Sequence, residues 1–140
     1  MRRVLLSAFA LSLLAASTVP MAMAADVTVI VTDAEPNGRG VFVQLCTQEE
    51  FLKRCTLRDK AAAKDDTVRF VFKDVPPGAY AATAFQDVND NAKLDRGLFG
   101  APSEPWAVSR DAKGRMGPPV FEDAKVDVTD KPLTLEMDLD

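Results

Sequence analysis

The chain of 140 residues contains no histidine. Without an imidazole, neither a Ser-His-Asp triad nor a Cys-His pair can be assembled, and the commonest ligand of zinc and copper is missing. Cysteine occurs twice, and tryptophan and tyrosine once each. Positive charge is also in deficit: 17 Lys+Arg stand against 21 Asp+Glu, a net charge of −4. That balance argues against nucleic acid and anionic lipid as partners and suits solubility and cation binding. No glycine-rich loop opens a helix, so no phosphate cradle is expected. Beyond the first residues there is no long apolar run.

What is present begins with a targeting segment. Arg2 and Arg3 precede an apolar run over residues 4–16, and Ala22-Met23-Ala24 has the small-x-small form of a cleavage site. Residues 1–24 therefore read as a secretory signal peptide, cut between Ala24 and Ala25. The apolar run is shorter than the roughly 20 residues of a spanning helix, and no cysteine lies at the cut to carry a lipid. The expected location is periplasmic or secreted, with no integral membrane segment after cleavage. Removing 24 residues leaves 116 and takes away two arginines, so the mature charge is −6. Residues 25–140 are expected to form one domain. Cys46 and Cys55, nine apart in an exported chain, are expected to form a disulfide. Closing so short a loop contributes roughly 2–3 kcal/mol on the chain-entropy model. The alternative, a metal-binding or catalytic pair, has no histidine to assist it.

The mature chain reads as strands separated by turn residues. Val27, Val29 and Val31 alternate with Thr28, Ile30 and Thr32. Residues 35–40 are dense in turn formers, and a second strand over 41–46 points Val41, Val43 and Leu45 inward. Thr47 and Glu50 have the spacing of a capping box, so a short helix is expected over about 47–54. Residues 58–66 read as an exposed loop or helical turn. Val68, Phe70 and Phe72 mark another strand, with Val71 off pattern, and residues 74–78 turn the chain. The next strand, 79–85, has small residues that invite close packing of another layer. Its Tyr80 is either a corner tyrosine that bonds backbone or an ordinary core tyrosine. Residues 97–117 read as a long structureless connection, of the kind that is usually functional. Trp106 within it is expected to be a partly buried anchor, or else an exposed platform for a ligand. Strands over 124–129 and 133–139 close the pattern, the last with Leu133, Leu135, Met137 and Leu139 on one face. About six or seven strands and one short helix indicate an all-β sandwich.

Residues 87–95 concentrate oxygen-bearing side chains. Asp87, Asn89, Asn91 and Asp95 hold positions 1, 3, 5 and 9 of a calcium-loop pattern. Alternate residues of a tight loop present their oxygens to one centre, and Lys93 at position 7 would offer its backbone carbonyl. Leu94 is expected to face the core and pin the loop. The pattern is incomplete: Leu98 holds position 12, where a bidentate Glu belongs, and Ala92 replaces the glycine of position 6. The missing carboxylate must come from elsewhere, with Glu104 or Asp90 as candidates. Such a site would bind Ca²⁺ weakly, with a dissociation constant on the order of 10⁻⁴–10⁻³ M. The alternative is a metal-free cluster of Asx-turns.

Two stretches together resemble a known family. One is Pro77-Gly78-Ala79-Tyr80-Ala81-Ala82 running into Asp87-Val88-Asn89-Asp90-Asn91 and Leu94-Asp95. The other is Phe99-Gly100-Ala101-Pro102-Ser103-Glu104-Pro105-Trp106 with Ser109, followed by the stretch from Gly117 through Pro118, Pro119, Val120, Phe121, Glu122 and Asp123 to Ala124. Together they resemble the DUF2141 family of exported bacterial proteins, over essentially the whole mature chain. The resemblance implies a single prealbumin- or immunoglobulin-like β-sandwich and no enzymatic activity, since none is established for the family. Two departures stand out: Gln86 where members often have His, and Ala92 where Gly commonly follows the third loop ligand.

The expected function is thus a non-enzymatic binding or structural module of the envelope with a low-affinity calcium loop, its partner a protein or an envelope ligand. One alternative is a hydrolase of envelope glycans using carboxylates such as Asp87 and Glu104. Another is a metal-free structural protein.

Overall fold

The computed structural model describes residues 23–140. The expected signal peptide, residues 1–24, therefore lies almost wholly outside the described residues. The first strand, β1 (Ala25–Thr32), starts at the residue that follows the expected cut. It is the central strand of a three-stranded sheet. On one side it pairs antiparallel with β4 (Val68–Val75), on the other parallel with β8 (Leu133–Asp138). The valines at 27, 29 and 31 are fully buried, as their alternation predicts. Each contributes roughly 1.5–3 kcal/mol by leaving water. Val29 lies in register with Phe70 and Leu135, so the apolar rows of three strands make one face.

The second sheet runs β3 (Leu57–Ala62), β2 (Gly40–Cys46), β5 (Gly78–Asp87), β6 (Trp106–Val108), and β7 (Val126–Val128) pairs with the start of β5. Val41, Val43, Leu45, Ala82 and Ala84 meet the valines of β1 and the phenylalanines of β4 in the main core. The fold is an all-β sandwich of two sheets. Tyr80 donates its hydroxyl proton to the Pro76 carbonyl at 3.0 Å, so it is the corner tyrosine.

Three expectations need correction. Residues 47–54 do not form a helix. Glu50 does reach back to the Thr47 N–H, but the excursion is a single turn, and Leu52 takes a left-handed φ of 59° that ends it. Among the described residues the one α-helical turn is instead α1 (Phe121–Ala124). Residues 57–62 are a strand, because β3 covers the edge of β2 from Gly40 to Leu45. Its exposed Arg58, Asp59 and Lys60 hide this from periodicity, and they are the charges that keep a sheet edge from pairing with another molecule. The connection over 97–117 is not structureless, since β6 within it adds a strand to β5.

The small residues of β5 do admit another layer. Ala81, Val108, Ala112, Phe121 and Ala124 form a second apolar cluster on the outer face of the five-stranded sheet, with Phe51 and Trp106 against it. Buried Ser109 stitches the layers: its hydroxyl oxygen accepts from the Ala82 N–H at 2.9 Å and donates to the Ala124 carbonyl at 2.6 Å. The Cys46–Cys55 disulfide is formed and clamps the 47–54 turn to the end of β2. Beyond β8 the chain crosses between sheets. The Leu139 N–H donates to Thr32, and Asp140 exchanges two backbone hydrogen bonds with Trp106.

Candidate functional site

The oxygen-rich loop leaves the end of β5 at Asp87, opposite Gly40. Asp87 is almost fully buried, and both carboxylate oxygens accept backbone N–H groups, Oδ1 from Asn91 at 3.2 Å and Oδ2 from Ala92 at 2.7 Å. Asn89 and Asn91 repeat the motif one step on, their carbonyl oxygens accepting from the N–H of Asn91 and of Lys93. These are successive Asx-turns, and they fold the loop tightly enough to put Asp90 and Ala92 in left-handed backbone, φ 61° and 58°. The glycine-like demand at position 92 is therefore met by an alanine.

Glu104 is brought to the loop, as anticipated. The return path is laid by the Ser103 N–H on Asp95, a bridge between Arg96 and Pro102, and the Gln86 N–H on Pro105. Nearly buried, Glu104 accepts from the Val88 N–H at 3.0 Å and the Asp95 N–H at 2.9 Å, strapping the two ends of the loop together. Asp95 takes the side-chain amides of Asn89 and Asn91. Asp90 turns away to pair with Arg39. Lys93 gives its N–H to Asn91, and its exposed side chain points the residue outward. Leu94 is only half-buried, not a core residue as expected, because the outer face it covers is open. Among the described residues, no three acidic or cysteine side chains gather as a metal-holding group. The carboxylates keep acceptor capacity, since each oxygen has a second lone pair.

Sequence reasoning missed two parts of the site. One is Gln86, fully buried, whose side chain brackets Glu35: its oxygen accepts the Glu35 N–H at 2.8 Å and its amide donates to the Glu35 carbonyl at 2.7 Å. It ties the β1–β2 connection to the base of the loop. A glutamine on the core face of β5, in step with Ala82 and Ala84 and opposite Val41, carries the only hint.

The other is a groove of about 1320 Å³ on the outer face of the five-stranded sheet. Its floor is a row of cross-strand partners, Lys60, Phe42, Phe85 and Trp106, one from each of β3, β2, β5 and β6. The Phe42 and Phe85 rings stack with centroids 4.9 Å apart and planes within 3°, and the Lys60 ammonium sits 4.6 Å over the Phe42 ring. The oxygen-rich loop and residues 99–102 wall one end, the 52–54 turn the other, and residues 113–119 one flank. Phe99 and Met116, fully exposed, stand at the lips.

A family model described as an uncharacterized protein conserved in bacteria, DUF2141, matches residues 29–136. The chain belongs to the DUF2141 family. The match runs from within β1 to within β8, so both the loop and the groove of this DUF2141 protein lie inside it. No curated protein and no solved structure matches the chain.

Proposed function

We propose that this DUF2141 protein is an exported, non-enzymatic binding module that takes its ligand in the groove, with the Asp87–Glu104 loop as a wall that a calcium ion stiffens. The groove carries the reading: a half-exposed aromatic row on a sheet face, walled on several sides, is the concave and mostly apolar form that ligand sites take. Export is supported by the signal-like start and by the disulfide, which persists in oxidising compartments. Among the described residues no helix is long and apolar enough to cross a membrane. The hydrolase alternative draws no support from Asp87 and Glu104, whose carboxylate oxygens each accept a backbone N–H.

The binding reading is tested by native mass spectrometry of the mature protein after incubation with a bacterial envelope extract. Thr83 of β5 lies in the floor opposite Gln44, so a retained mass is expected on the wild type and not on Thr83→Phe, which fills that floor. No retained mass on either would sink the reading.

Calcium is the finer part. Support for it is the spacing of Asp87, Asn89, Asn91 and Asp95 and the spare lone pairs of Asp87 and Glu104. Millimolar calcium should raise the Tm, and Asp87→Ala should abolish the rise. A flat response favours the metal-free reading, which has its own observation: the amides of Asn89 and Asn91 already satisfy Asp95.

A further inference from the structure

Resting on the binding-module reading, we propose that the groove holds a long-chain fatty acid, its acyl chain on the aromatic row and its carboxylate on the basic rim. Charge is the first argument. The chain is net acidic at −4, yet the groove is lined by seven lysine and arginine residues, of which Lys113 is paired with Asp111 and Asp140, and by one acid, Asp59. Arg58 and Lys60 project from the same face of β3 beside the row, Lys53 and Arg54 close one end, and Lys93 and Arg96 the other. So strong a local reversal attracts an anion. Gln44 on the floor spends its side-chain oxygen on the Cys55 N–H, so what it keeps for a ligand is a donor.

The floor decides the body of the ligand. Phe42 and Phe85 cover one face of each other by stacking, and Lys60 lies over the Phe42 ring. A sugar ring needs an open aromatic face to stack on, and the Phe42 ring at the centre of the floor offers none. Ring edges and the flanking Leu52, Leu94 and Pro102 suit a flexible hydrocarbon chain instead. Across the four strands the row itself spans about 14 Å at roughly 4.8 Å per strand, which favours an elongated occupant. The lips agree. Phe99 and Leu52 are apolar, exposed and held in left-handed backbone, φ 69° and 59°, an arrangement that contact with a ligand would repay.

Trp106, the only tryptophan in the chain, lines the groove and reports on it directly. The mature protein is titrated with palmitoleate below its micelle-forming concentration while tryptophan emission is followed. Palmitoleyl alcohol, acetate and polyglutamate serve as comparison probes. A saturable change is expected with palmitoleate, binding about tenfold weaker with the alcohol, and none with acetate. Arg54→Glu/Arg58→Glu should weaken palmitoleate about tenfold and leave the alcohol unchanged. Both positions are exposed, and circular dichroism confirms the fold. Thr83→Phe should block both amphiphiles. Equal binding of acid and alcohol overturns the anionic head while leaving groove binding intact. Displacement of palmitoleate by polyglutamate assigns the groove to an acidic polypeptide and overturns the acyl chain. No emission change with either amphiphile overturns the proposal, whereas the binding-module reading falls only if the envelope extract also leaves no mass.

Discussion

Ala92 and Glu104 show what single residues contribute to the loop. Ala92 holds a left-handed φ of 58°, which costs a residue with a Cβ about 1–2 kcal/mol. Ala92→Gly should therefore stabilise the protein by up to about 1 kcal/mol, less the extra freedom glycine gains when unfolded. Denaturant titration reads this, and a loss of stability would show that the alanine methyl packs usefully. Glu104 uses both oxygens on backbone N–H groups. Glu104→Gln would set an amide donor against one of them and leave it unpaired, at a cost of about 1–3 kcal/mol. Amide hydrogen exchange at Val88 and Asp95 should speed up in that variant, and unchanged protection would refute the strap. The oxygen spacing was legible in the sequence, and so was the need for a carboxylate from outside the loop, but Glu104 reads there as a cation ligand whereas in the structure it straps two backbone N–H groups. What those oxygens contact was not legible, since an Asx-turn and a cation ligand need the same residues at the same spacing.

At the scale of elements, the 47–56 excursion rests on one carboxylate and one covalent bond. Glu50 is held below the usual glutamate range, first by the Thr56 hydroxyl and then by the Thr47 N–H. A carboxylate whose folded pKa is depressed contributes stability that is present above its unfolded pKa and is lost as pH falls through the folded one. Asp26, lowered chiefly by its bond to Lys73, acts with the same sign on the β1–β4 pair. The Tm should therefore fall on acidification through and below the ordinary carboxylate range, and Glu50→Gln should flatten part of that fall. Replacing Cys46 and Cys55 together by serine should lower stability by roughly 2–3 kcal/mol, measured by chemical unfolding. Strands β4 and β8 could be read because each has one drier face and one wet one, and β1 because its core valines alternate with Thr28, Ile30 and Thr32. Edge strands β3 and β6 could not. The first is nearly all exposed, and the second is too short for a period to show, lying among prolines and glycines.

For the whole molecule, net charge misleads. An acidic total gives no sign that lysines and arginines far apart in sequence collect around one sheet face. Only the pairing of β3 with β2 brings Arg58 and Lys60 beside the phenylalanines. The chain that follows β8 then links this face to the rest. Within two residues it bonds to Thr32 in one sheet and to Trp106 in the other. Anything fused downstream of Asp140 would thus pull first on the strand that carries the reporter tryptophan. A purification handle or a tethered label belongs ahead of β1 if the groove is to be observed undisturbed.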